Sequence, residues 1–196
     1  MATALVAASC CVPLALLLVG ALSGSLSANP IDDVTDSTGR WTLRFILITL
    51  AITPLRTVLG LNALARYRRM LGLFAFFYGS LHFLTYLWLD QFFDWPEIVS
   101  DIAKRPFIAL GVASFALMVP LAVSSARRVA RGMGPRRWRA LHRLAYAVAL
   151  GGVVHYLWLV KADRTNPLVY GAILAVLFAS RAWSFWRTRR VRSAAV

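Results

Sequence analysis

Acidic residues are scarce in this chain: 8 Asp and Glu stand against 22 Lys and Arg in 196 residues, a formal net charge of +14. Histidine is scarcer still, at 3. The only 2 cysteines, Cys10 and Cys11, are neighbours. Adjacent cysteines rarely make a useful disulfide and lack metal-ligand spacing, so they read as small apolar packing residues. A Gly-rich phosphate loop is missing as well, which removes the signature of a nucleotide-binding fold.

What the chain has instead is hydrophobic length. Apolar residues make up 59% of it and the mean hydropathy is +0.65, above the roughly half expected of a soluble domain. Runs of about 20 apolar residues are long enough to cross a bilayer. Six such segments are expected, near 5–23, 43–61, 70–89, 107–125, 139–160 and 167–186. The fold class is therefore an all-α integral membrane protein, a six-helix transmembrane bundle. Residues 1–28 form a first helix with signal-like small residues at Ser25–Ala28, 29–186 the main bundle, and 187–196 a basic tail. No basic residue precedes the first helix, unlike the charged start of a signal peptide, which favours an uncleaved span.

The charges alternate along these segments. Arg56, Arg66, Arg68 and Arg69 flank one loop, and Arg127, Arg128, Arg131, Arg136, Arg137 and Arg139 fill another. Arg187, Arg189, Arg190 and Arg192 close the chain. All the acids fall in the opposite loops: Asp32, Asp33, Asp36, Asp90, Asp94, Glu97, Asp101 and Asp163. By the positive-inside rule both termini are cytoplasmic. The basic excess then serves topology and contact with anionic lipid rather than nucleic acid.

Local signals refine the picture. Pro54 should kink or end the second segment. Asp94 followed by Trp95-Pro96-Glu97 reads as the capped start of a short interfacial helix in the outer loop. Gly151-Gly152 would permit a kink in the fifth segment. Trp88, Trp95 and Trp158 at one boundary and Trp138, Trp183 and Trp186 at the other form an aromatic belt.

His82, His142 and His155 all lie in hydrophobic segments. Ionisable groups inside a membrane are costly and by default mark a functional site. His82 lies about 18 Å into a segment running outward, in the outer half of a core of about 30 Å. His155 reaches a similar depth on another outward-running segment, an arrangement that suits axial ligands on opposite faces of one haem iron. His142 lies near the inner end, roughly 20 Å from His155 along the same segment and about 140° away around an ideal helix. A structural zinc site would need more ligands than two such histidines supply. Arg68, Arg69, Arg139 and Arg143 sit at the inner end, placed to hold propionates or phosphates, or simply to anchor the inner leaflet. Tyr86 and Tyr146, each four residues after a histidine, share its helix face.

Several blocks are more specific: Trp41-Thr42-Leu43-Arg44-Phe45 leading to Thr53-Pro54-Leu55-Arg56; Arg68-Arg69-Met70-Leu71-Gly72-Leu73 leading to Leu81-His82-Phe83-Leu84-Thr85-Tyr86; Arg105-Pro106-Phe107; Trp138 to Tyr146; and His155-Tyr156-Leu157-Trp158. Together they resemble the MsrQ family, the haem-binding membrane subunits of the bacterial periplasmic methionine sulfoxide reductase system, within the wider ferric reductase-like transmembrane group. The resemblance implies a six-spanning inner-membrane protein that binds haem b and is associated with FMN. It implies electrons taken from the quinone pool or a cytosolic flavin reductase. They would pass to a periplasmic molybdopterin-containing reductase that repairs oxidised proteins. By position it makes His82, His155 and His142 the haem-ligand histidines. Two-haem relatives of the wider group carry a second histidine where this chain has Arg68 and Arg69, so one haem is expected, and a second would need another ligand for His142. No residue pattern marks an FMN site.

Two other functions compete. A small transporter or channel would rely on buried carboxylates, and every acid here is expected outside the membrane. A stand-alone ferric or quinone reductase would have no use for the acidic, aromatic outer loop 90–101, which suits a docking surface.

Overall fold

The computed structural model describes residues 1–193; residues 194–196 of the basic tail lie outside the described residues, as do the side chains of Thr188, Arg189, Val191, Arg192 and Ser193. The described residues form helices joined by short turns: α1 (Ala2–Ser23), α2 (Pro30–Leu59), a 3₁₀ turn over Asn62–Tyr67, and α3 (Arg68–Thr85), which widens into a π turn over Tyr86–Asp90. Then follow α4 (Trp95–Lys104), α5 (Pro106–Val123), α6 (Arg127–Met133), α7 (Pro135–Leu141), α8 (Leu144–Leu159) and α9 (Thr165–Ser193).

Five helical stretches are long and apolar enough to cross a membrane: Ala2–Ser23, Pro30–Leu59, Asn62–Asp90, Pro106–Val123 and Thr165–Arg187. The sixth expected segment, 139–160, differs. Its helix breaks at His142 and Arg143, leaving α8 with 16 residues. Ser124 at the end of α5 bonds the residues beside the break. Its backbone carbonyl accepts from Trp138 Nε1 at 3.1 Å, and its hydroxyl meets His142 Nε2 at 3.2 Å. The Gly151-Gly152 pair does not kink α8, which runs unbroken through it. Gly151 instead lets α8 press against Ser114 of α5, where a Cβ would collide with the hydroxyl.

Two antiparallel pairs, α2 with α3 and α5 with α8, make the centre of the bundle. They meet through aromatic stacking of Phe115 on Phe76 and Phe83, with centroids 5.7 and 4.8 Å apart. Phe45, Leu47, Leu50, Ala75, Tyr78, Val148, Ala149 and Leu174 fill the core. Helix α9 packs on α2 and α8.

Prolines shape two of the helices. Pro54 does not end α2, which continues to Leu59. It removes the N–H that would bond the Leu50 carbonyl, and the Arg181 guanidinium takes that carbonyl at 3.2 Å. In α1, beside Pro13, the Tyr78 hydroxyl enters the helical ladder. It accepts from Leu14 N–H at 3.1 Å and donates to the Cys10 carbonyl at 2.9 Å. The expected interfacial helix is present as α4, with Asp94 accepting from the Glu97 N–H.

Candidate functional site

His82 near the end of α3 and His155 near the end of α8 come together across the bundle, their ring centroids 6.3 Å apart and their planes at 76°. Two imidazoles on opposite sides of one metal atom, each with an N–metal bond of about 2 Å, hold their ring centres roughly 6 Å apart. The observed spacing meets that requirement.

The two rings are held in the same way. His82 Nδ1 lies 2.9 Å from the Thr35 carbonyl of α2, and His155 Nδ1 lies 2.7 Å from the Phe107 carbonyl of α5. A carbonyl can only accept, so Nδ1 carries the proton in both. Nε2 is left with a free lone pair, the tautomer that a metal-ligating histidine with a backbone partner adopts.

Four residues beyond each carbonyl stands a glycine. A Cβ on Gly39 would sit 3.0 Å from His82 Cε1, and one on Gly111 would sit 2.9 Å from His155 Cε1. Each ring therefore lies directly against a bare stretch of helix, its Nδ1 aimed one turn back along that helix. The same device, carbonyl at i and glycine at i+4, occurs twice.

Both histidines line a cavity of about 310 Å³, walled by Ile46, Phe83, Phe115, Met118 and Val148 among others. That size lies at the low end of small-molecule sites, and the mix of apolar wall and few polar groups is typical of them. Its polar rim includes Arg40 and Arg105. Arg40 is paired with Asp36 at 3.0 Å and Arg105 with Asp101 at 2.8 Å. Asp101 is 4% exposed and also accepts from the Tyr86 hydroxyl at 3.1 Å.

The remaining expected residues lie elsewhere. His142 bonds Ser124 and stacks on Trp138 with centroids 3.9 Å apart. Arg68, Arg69, Arg139 and Arg143 do not line the histidine cavity. Tyr86 does line it, whereas Tyr146 turns to Arg181. Asp101, read from sequence as part of an exposed acidic loop, is buried and holds α4 to the bundle through Arg105 and Tyr86. Sequence reasoning missed Arg40, Arg105, Gly39 and Gly111. A signal existed for the arginines, since they are among the few cations in the otherwise acidic outer regions.

Among the described residues no group of three or more His, Cys, Asp and Glu side chains could hold a metal ion. Two histidines alone suit a metal whose other ligands arrive with it. The donor set, its spacing and the glycine-backed seats fit a bis-histidine haem.

Comparison with known proteins converges on the same chemistry. The family described as "Ferric reductase like transmembrane component" matches residues 38–153. A protein of Herminiimonas arsenicoxydans is 47% identical over 184 residues, covering 93% of this chain and 84% of its own. One of Azospira oryzae is 53% identical over 163 residues, covering 83% and 70%. One of Caulobacter vibrioides is 47% identical over 185 residues, covering 94% and 87%. Each is named protein-methionine-sulfoxide reductase heme-binding subunit MsrQ. No solved structure matches the chain.

Proposed function

The chain belongs to the MsrQ family within the ferric reductase-like transmembrane proteins, and on that premise we propose that it is a membrane electron carrier built around one b-type haem held by His82 and His155. The observation that carries this reading is the paired seat: two histidines 6.3 Å apart, each fixed by a carbonyl so that Nε2 is free. Arg40 and Arg105 line the same cavity and are the cations that would hold the propionates. Bound there, the haem supplies a one-electron iron couple. The chain's own contributions are to fix both ligands before the cofactor arrives, to exclude water with Phe83, Phe115 and Met118, and to tune the potential through two charge-neutral imidazoles.

Electrons enter from the quinone pool or a cytosolic flavin reductase and leave to a periplasmic molybdopterin-containing methionine sulfoxide reductase. Reducing one sulfoxide to the thioether and water takes two electrons and two protons, so a one-electron carrier serves twice per turnover. The depth of the histidine pair supports this direction, because it lies at the end of the bundle that carries Asp36, Asp90, Asp101 and the exposed rings of Phe92 and Trp95. The protein sits in the bacterial inner membrane with both termini cytoplasmic, α7 and α8 together completing the sixth crossing. His142 remains a partner of Ser124 and carries no second haem. FMN enters the scheme from the family resemblance, with no site assigned to it.

A reduced-minus-oxidised spectrum with haem quantification tests the proposal. Wild type and His142→Ala are expected to hold one haem per chain, and His82→Ala and His155→Ala to lose it. Full haem retention in both of the latter variants overturns the assignment.

A further inference from the structure

Asp101 is a buried carboxylate that the electron-transfer scheme leaves unused. It sits on the inward face of α4 with Ile98, 4% exposed, while Trp95 and Val99 of the same helix are exposed. One carboxylate oxygen accepts from Arg105 Nε at 2.8 Å and the other from the Tyr86 hydroxyl at 3.1 Å. Burying a charge is costly, and an apolar side chain of similar size often closes a helix onto its neighbours at least as well. Stability alone therefore gives no reason for a carboxylate here.

Both of its partners line the histidine cavity, and Asp101 itself does not. Each partner also belongs to one of the two histidine seats. The Tyr86 N–H bonds the His82 carbonyl one turn back. Arg105 is the residue before α5 and stands two residues ahead of Phe107, whose carbonyl holds His155. One carboxylate thus joins the end of α3 to the start of α5 from behind the cavity wall. Its bond takes up Nε of Arg105 and leaves the two amino groups for an anion inside the cavity. Arg40 is tied less firmly, because its partner Asp36 is 53% exposed and solvent weakens such pairs.

We propose that Asp101 is a positioning residue for the haem. It aims the Arg105 amino groups at a propionate, and its negative charge lowers the potential at which the iron accepts an electron. The proposal rests on the haem reading of the paired seat and deepens it. The histidines fix the iron, and Asp101 fixes the edge of the ring. Helix α4 becomes part of the cofactor site through this one side chain.

Haem titration and redox titration of the purified protein test the proposal. Asp101→Asn keeps an oxygen for Arg105 Nε and loses the charge, so haem affinity should stay near that of wild type while the midpoint potential rises. Asp101→Ala releases Arg105 and should weaken haem binding by about tenfold, the worth of one charge-assisted hydrogen bond. Arg105→Gln should weaken it to the same degree. Adding Asp101→Ala to Arg105→Gln should weaken it no further, since Asp101 acts through Arg105. A carboxylate that merely held α4 in place would leave the potential of Asp101→Asn at the wild-type value and would add its own loss to that of Arg105→Gln. Either result overturns the proposal. Where Asp101→Ala fails to fold, the potential of Asp101→Asn, raised or unchanged, decides alone. A wild type that binds no haem overturns the paired seat as well, whereas haem-loaded variants indistinguishable from wild type overturn this inference only.

Discussion

At the residue scale, the glycines decide as much as the histidines. An alanine at 39 or 111 would place its Cβ about 3 Å or less from an imidazole carbon, closer than ordinary contact, so the ring must move off its carbonyl. Partners of metal-ligating histidines are worth about 10- to 100-fold in metal affinity. Gly39→Ala and Gly111→Ala should each lower haem affinity by about that factor, read by haem titration. Gly132→Ala, where a Cβ meets open space, should not. The ring planes make a further prediction. Imidazoles 76° apart should give the ferric protein a strongly anisotropic low-spin electron paramagnetic resonance signal. The rhombic signal of near-parallel rings would show that the seats relax around the cofactor.

The histidine pair was legible in the sequence because depth follows directly from residue count on two segments of known direction. Its support was not. Thr35 and Phe107 act through backbone carbonyls, which any residue has, and the glycines matter only through which neighbour packs on them. The inner arginines were read from their charge as cofactor contacts or as anchors of the inner leaflet, while the arginines that line the histidine cavity are Arg40 and Arg105.

At the scale of elements, hydrophobic run length located the long helices, although α2 begins at Pro30, well before the expected 43, and Asp94-Trp95-Pro96 gave α4 correctly. The breaks were harder. Gly151-Gly152 looked like a hinge, but Gly151 serves close packing on Ser114, and the interruption lies at His142–Arg143, where His142 and Trp138 bond Ser124. Pro54 interrupts a hydrogen bond without ending α2, because Arg181 of α9 replaces the missing donor. Tyr78 acts differently in α1, where its hydroxyl is inserted between the Leu14 N–H and the Cys10 carbonyl. Tyr78→Phe removes the bridge from α3 to α1 and lets the Leu14 N–H and Cys10 carbonyl pair directly, so it should cost about 0.5–1.5 kcal/mol, seen as a lower thermal unfolding midpoint in detergent with haem content retained. An unchanged midpoint would mean that α1 rests on the bundle through apolar contact alone.

For the whole molecule, the charge pattern carries the topology. A phosphatase fused after Asp163 should be active in the periplasm, and one fused at the C-terminus should not. Activity in the reverse pattern would invert the direction of electron flow proposed above.

The twofold repetition of the histidine seat bears on how the protein reaches its working amount in a cell. Each helical pair carries half of the proposed ligand set, so a haem held by both histidines would add a further tie between one pair and the other. A cofactor that binds only the joined pairs stabilises them by mass action. Chains made while haem is short would be held together only by packing such as Phe115 on Phe76 and Phe83, and would be the ones that membrane proteases clear. Abundance should therefore track haem supply: limiting haem synthesis should shorten the lifetime of the wild-type chain towards that of His82→Ala, measured by pulse-chase.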